Sequence, residues 1–86
     1  MDCATWSKVV TVLRFSPQQA RIVELIVSGA SDKRIAESLG LSVDTVRTYL
    51  KRIDARLNVR GRLELVVRVF TAALEIVVDE ECHHQR

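Results

Sequence analysis

The chain has 86 residues, enough for one domain around one compact core and too few for a second, signal-sensing domain. Hydrophobic residues make up 48% and charged residues 28%, a mixture that suits a folded soluble domain and argues against a chain that is all disordered polar tail. Apolar runs of three or four residues fall far short of the roughly 20 that span a bilayer, and no secretory signal opens the chain, so a cytoplasmic location is expected. The net charge of +2 hides an uneven distribution: Lys33 to Arg62 holds eight basic residues against three acids, whereas residues 63–86 hold two against five. A local positive field of this kind suits a polyanionic partner.

Taken in chain order, residues 1–14 are a short N-terminal extension in which Trp6, Val9, Val10 and Leu13 are spaced like one helix face. Ser16-Pro17-Gln18-Gln19 is a start signal: Ser16 caps, Pro17 suits the first helical position and Gln19 completes a capping box. The helix it opens carries Ile22, Val23, Ile26 and Val27 on its inner side and ends at Gly29. Ser31 opens a second, short helix with Ile35, Ala36 and Leu39 inward, closed by Gly40. Ser42 then caps a third helix over 43–57. Its stripe Val43, Val46, Leu50, Ile53, Leu57 steps by three and four, and Asp44 sits in the first turn where the helix dipole favours an acid.

Two such helices joined through Gly40, Leu41 and Ser42 have the spacing of a helix-turn-helix, whose second helix enters the major groove of DNA. Opposite the apolar stripe of the third helix lie Thr45, Arg47, Thr48, Lys51 and Arg52, a surface able to reach base edges and phosphates. After a short Asn58-Val59-Arg60-Gly61 connector, a fourth helix over 62–77 carries two apolar stripes. One runs Leu63, Val66 or Val67, Phe70, Leu74, Val77; the other runs Leu65, Val69, Ala72, Ile76. A small core needs only one of them. The second stripe is therefore a candidate contact with the same helix of another copy about a two-fold axis, unless residues 1–14 cover it.

These residues, from Phe15-Ser16-Pro17 through Ser28-Gly29-Ala30-Ser31-Asp32-Lys33-Arg34-Ile35-Ala36, Leu39-Gly40-Leu41-Ser42 and Thr45-Val46-Arg47-Thr48-Tyr49-Leu50 to Leu57-Asn58-Val59-Arg60-Gly61-Arg62, resemble the LuxR/GerE DNA-binding domain. The resemblance covers about residues 15–77 and implies an all-α, four-helix domain over 15–78, with 1–14 as an extension and 79–86 as a polar tail. It implies a dimeric transcriptional regulator that binds double-stranded DNA, reading the major groove with the third helix and pairing through the fourth. Carried over position by position, it makes Arg47, Thr48 and Lys51 base contacts. Ser31, Lys33, Thr45 and Arg52 become phosphate contacts, with Tyr49 added as a phosphate hydrogen bond or a packing group. Gln19 and Arg34 stand where the family usually has an acid, and Tyr49 where it commonly has a His. With only 14 residues ahead of the domain, the chain resembles the stand-alone members of the family. RNA polymerase or another regulator is a further expected partner.

Other chemistries find less support. Cys82-His83-His84 offers metal-ligand types, but with no fourth ligand at useful spacing no metal site is expected. Cys3 and Cys82 form no CxxC pair, there is no glycine-rich phosphate loop, and the two histidines both lie in the tail, so neither a cofactor nor catalysis is expected. Two rival readings are region four of a sigma factor and a protein-interaction module built on the same scaffold. The double-striped fourth helix speaks against the first, and the basic pair Arg47 and Lys51 against the second.

Overall fold

A computed structural model describes residues 2–84, with side chains through Asp79. The described residues form five helices and no strand: α1 (Cys3–Leu13), α2 (Pro17–Val27), α3 (Asp32–Leu39), α4 (Val43–Leu57) and α5 (Arg62–His84). The N-terminal extension is thus a helix in its own right. Its start is fixed by the Asp2 carboxylate, which accepts from the Thr5 N–H at 2.7 Å, and its end by Arg14 in the left-handed conformation.

The other boundaries follow the caps written in the sequence. At α2 the Gln19 N–H donates to Ser16 Oγ at 3.2 Å and the Ser16 N–H to Gln19 Oε1 at 3.0 Å, so both halves of the capping box form. Ser31 and Ser42 cap α3 and α4 through their side-chain oxygens alone, accepting from the Arg34 and Thr45 N–H groups at 3.2 and 3.1 Å. α5 is the exception to the expected boundaries. It runs on from Val77 to His84 because Asp79-Glu80-Glu81 contains no glycine or proline to stop it, so residues 79–84 continue the helix where a tail was expected.

One core joins all five helices, with Val9 on α1, Ile22 and Val23 on α2, Ile35 on α3, Val46 and Ile53 on α4, and Leu65 and Val69 on α5 fully enclosed. Burying a side chain of this size is worth about 1.5–3 kcal/mol, so these eight anchor the domain.

This packing reverses the expected roles of the two stripes on α5. Leu65, Val69 and Ala72, expected at the contact between copies, are buried inside the protomer, and Ile76 is half-buried against the same core. The covering element is α1, which packs along α5 and brings Val9 and Leu13 into the cluster. An apolar partner already tethered in the same chain avoids the entropy lost when two molecules associate, so α1 claims this stripe. The opposite stripe is left on the surface: Leu63 is 78%, Val67 56%, Phe70 47% and Leu74 64% exposed. Val66 turns partly inward and Val67 outward.

Candidate nucleic-acid interface

α3 and α4 are the two helices of the helix-turn-helix, and their junction is set by Gly40. Its φ of 68° closes α3 in the left-handed region, which costs a residue without a Cβ little. The Leu41 N–H then donates to the Ala36 carbonyl at 2.9 Å, and Ser42 starts α4 at once. With Val46 and Ile53 buried and Tyr49 and Leu50 half-buried, the opposite face of α4 is held toward solvent.

The structure brings the expected base contacts together on that face. Arg47, Thr48 and Lys51 are all exposed, with Arg47 and Lys51 one turn apart. Thr48 Oγ1 donates to the Asp44 carbonyl at 3.0 Å, which uses its hydroxyl hydrogen and leaves its oxygen lone pairs able to accept. Among the expected phosphate contacts, Ser31, Lys33, Thr45 and Arg52 are exposed. The Ser31 oxygen is occupied as an acceptor, which leaves its hydroxyl hydrogen available to a phosphate. The Thr45 and Ser42 hydroxyls lie 2.8 Å apart and share one hydrogen bond. Tyr49 differs from the rest in being half-buried against the core. Arg34, where the family's usual acid is missing, is exposed beside Lys33 and extends the positive surface of α3.

Two of the cations counted in the basic stretch are engaged in the fold. Arg56 at the end of α4 donates to the Arg14 carbonyl, with its guanidinium 5.4 Å from the centre of the Phe15 ring. Arg62, at the start of α5, donates to the Ala30 carbonyl at 2.5 Å and to the Asp32 carboxylate. Asp32 is a residue that the sequence alone did not single out. Its second oxygen lies 3.6 Å from Arg47 Nε, so one carboxylate meets both a structural arginine and an expected base reader. An acid in a first helical turn reads as a dipole-favoured surface residue, and nothing in its local spacing signals partners 15 and 30 positions away.

Asp54 is the other acid out of place. Its Oδ1 is buried with no hydrogen-bond partner, and burial holds its carboxyl above the usual carboxylate range. The neighbouring Glu64 charge adds to that effect, and a hydrogen bond from the Gly61 backbone opposes it. Among the described residues no group of acids, cysteines and histidines is placed to hold a metal ion; the side chains of Cys82, His83 and His84 lie outside them. No helix among the described residues is long and apolar enough to cross a membrane.

The arrangement of capped helices, glycine turn and outward basic face finds its counterpart in a known family. The sequence model of GerE, bacterial regulatory proteins of the luxR family, matches residues 13–69. The chain belongs to that family. This LuxR-family domain is 40% identical over 58 residues to the monoamine regulon transcriptional regulator of Klebsiella aerogenes, covering 67% of this chain and 26% of that protein. It is 39% identical over 64 residues to the Fimbriae Z protein of Escherichia coli, covering 74% and 30%. With the transcriptional regulatory protein DesR of Bacillus subtilis it shares 33% over 51 residues, covering 59% and 26%. The chain thus spans between a quarter and a third of the length of these relatives. No solved structure matches it. α1 up to its last residue, Leu13, and the part of α5 beyond Val69 lie outside the span matched by the family.

Proposed function

We propose that this LuxR-family domain binds double-stranded DNA sequence-specifically as a transcription regulator, with α4 in the major groove. The observation that carries the reading is the outward face of α4, where Arg47, Thr48 and Lys51 stand exposed and adjacent behind a glycine-set turn. Arg and Lys donate to guanine O6 and N7, and a Thr methyl meets the thymine methyl, so this face has the chemistry of base readout. Ser31, Lys33, Thr45 and Arg52 flank it as phosphate contacts, which position the helix without reading sequence. Arg34 adds a further cation to this backbone-facing surface.

The functional unit in this reading is a two-fold dimer through α5, formed by the stripe that α1 leaves uncovered: Leu63, Val67, Phe70 and Leu74. Such a pair presents two copies of α4 to half-sites about one helical turn apart.

The test is fluorescence anisotropy against mixed-sequence duplexes at two salt concentrations, with the Arg47→Ala, Lys51→Ala double variant alongside. Binding that weakens steeply with salt and is lost in the variant is the expected result. Absence of binding by the unmutated protein at low salt would overturn the reading and favour a protein-interaction module, to which the exposed apolar face of α5 would then belong.

A further inference from the structure

The carboxylate of Asp32 stands between two arginines of different duty. On one side Arg62 is tied down twice, to the Asp32 carboxylate and to the Ala30 carbonyl at 2.5 Å, so Asp32 is held against the start of α5. Its own backbone lies in the first turn of α3, which Ser31 closes by accepting from the Arg34 N–H. Side-chain exposure falls to 28% at Asp32, which leaves it few ways to move. On the other side its Oδ2 faces Nε of Arg47, a side chain 63% exposed on the outward face of α4.

The edge of the guanidinium that is engaged matters. A guanidinium offers its donors along separate edges, and a carboxylate at Nε leaves the Nη1/Nη2 edge unoccupied. That outer edge has the two parallel N–H groups that match O6 and N7 of guanine. Charge attraction across 3.6 Å also biases this long side chain toward fewer rotamers, so less of the contact energy is lost to ordering when it meets a base. A free arginine on a basic face would instead settle on the nearest phosphate.

We infer that Asp32 is a positioning residue that aims Arg47 at a guanine, making it a determinant of the DNA sequence this domain selects. This rests on the proposed reading of α4 as the recognition helix. Asp32 gives specificity at the expense of general affinity, because its negative charge sits at the edge of a surface that meets phosphates.

The experiment uses a duplex selected from a random library by the unmutated protein, and measures how binding changes when each base pair is replaced in turn. Arg47→Ala identifies the guanine it reads as the position where discrimination disappears. Asp32→Ala is expected to lower discrimination at that same position by about tenfold, within the range a bidentate contact supplies, while binding to mixed-sequence duplexes tightens. Asp32→Asn keeps an oxygen for Arg62 and turns an amide N–H toward Arg47, so it should lose the same discrimination with the fold retained, as checked by thermal melting. Adding Asp32→Ala to Arg47→Ala should cause no further loss at that base. Discrimination unchanged in both Asp32 variants, or a further loss in the Arg47→Ala background, would overturn the positioning role and leave DNA reading intact. If Arg47→Ala relaxes no single position, Arg47 is not a base reader and the positioning role of Asp32 falls, while the reading of α4 falls only if the unmutated protein selects no duplex.

Discussion

Arg47 and Arg52 are both exposed cations on α4, yet they leave the helix on different sides and should fail differently when removed. Arg47→Ala is expected to cost about 1–3 kcal/mol at one base pair, because a bidentate contact is lost there. Arg52→Ala should instead weaken binding to all sequences alike and lower the salt slope by about one, which anisotropy titrations across a salt series would separate. Asp54 makes a prediction of a different kind. Burial raises its carboxyl above the ordinary range, so the folded chain holds this proton more tightly than the unfolded chain does. Its contribution to stability is therefore greatest at acid pH and is lost as pH rises through the raised folded value. Asp54→Asn, which carries no charge at any pH, should gain urea resistance over the unmutated protein at pH 7 and lose that advantage toward pH 4. An advantage constant across the range would place the effect in packing and not in ionisation.

At the level of the helix, the two stripes of α5 give the clearest division of labour. Leu65 lies in the core with no exposure, so Leu65→Ala should cost about 2–5 kcal/mol in urea unfolding. Trp6, the only tryptophan and a residue of α1 packed against the core, reports that loss directly. If α1 is integral to the fold, its fluorescence transition should coincide with the loss of helix seen by circular dichroism. A tryptophan transition well below the helical one would mean that α1 opens independently. The cap residues act at the same scale but more weakly: each serine cap contributes about 1 kcal/mol, enough to set where a helix starts.

For the whole molecule, the question is what covers Leu63, Val67, Phe70 and Leu74. Leu74→Glu introduces a charge where a two-fold contact would bring two such helices together, and it is expected to yield monomers in sedimentation without lowering monomer stability beyond about 0.5 kcal/mol. Dimers unaffected by Leu74→Glu would exclude this face as the contact. Charge follows the same plan at this scale. The basic middle of the chain is displayed on α3 and α4, while the acids that offset it lie largely along α5. The molecule measures 49 × 24 × 20 Å, and about 35 Å of helical rise in the 23 residues of α5 accounts for much of the long dimension.

Much of this was legible in the residues themselves. Ser16, Ser31 and Ser42 mark helix starts and Gly29 and Gly40 mark ends because capping and left-handed turns are local, decided within four or five residues. The outward face of α4 was readable for the same reason, since a period of 3.6 separates an apolar stripe from its opposite side without reference to anything else. Three matters were left to tertiary structure. Two equivalent stripes on α5 cannot be told apart by periodicity, and only the packing of α1 and α2 against α5 decides that Leu65 and Val69 go inward. Arg56 and Arg62 look like their basic neighbours until Phe15, the Arg14 and Ala30 carbonyls and Asp32 are brought to them from distant parts of the chain. The meeting of Asp32 with Arg47 is of the same kind: each belongs to its own helix by local rules, and the crossing of α3 and α4 alone makes them neighbours.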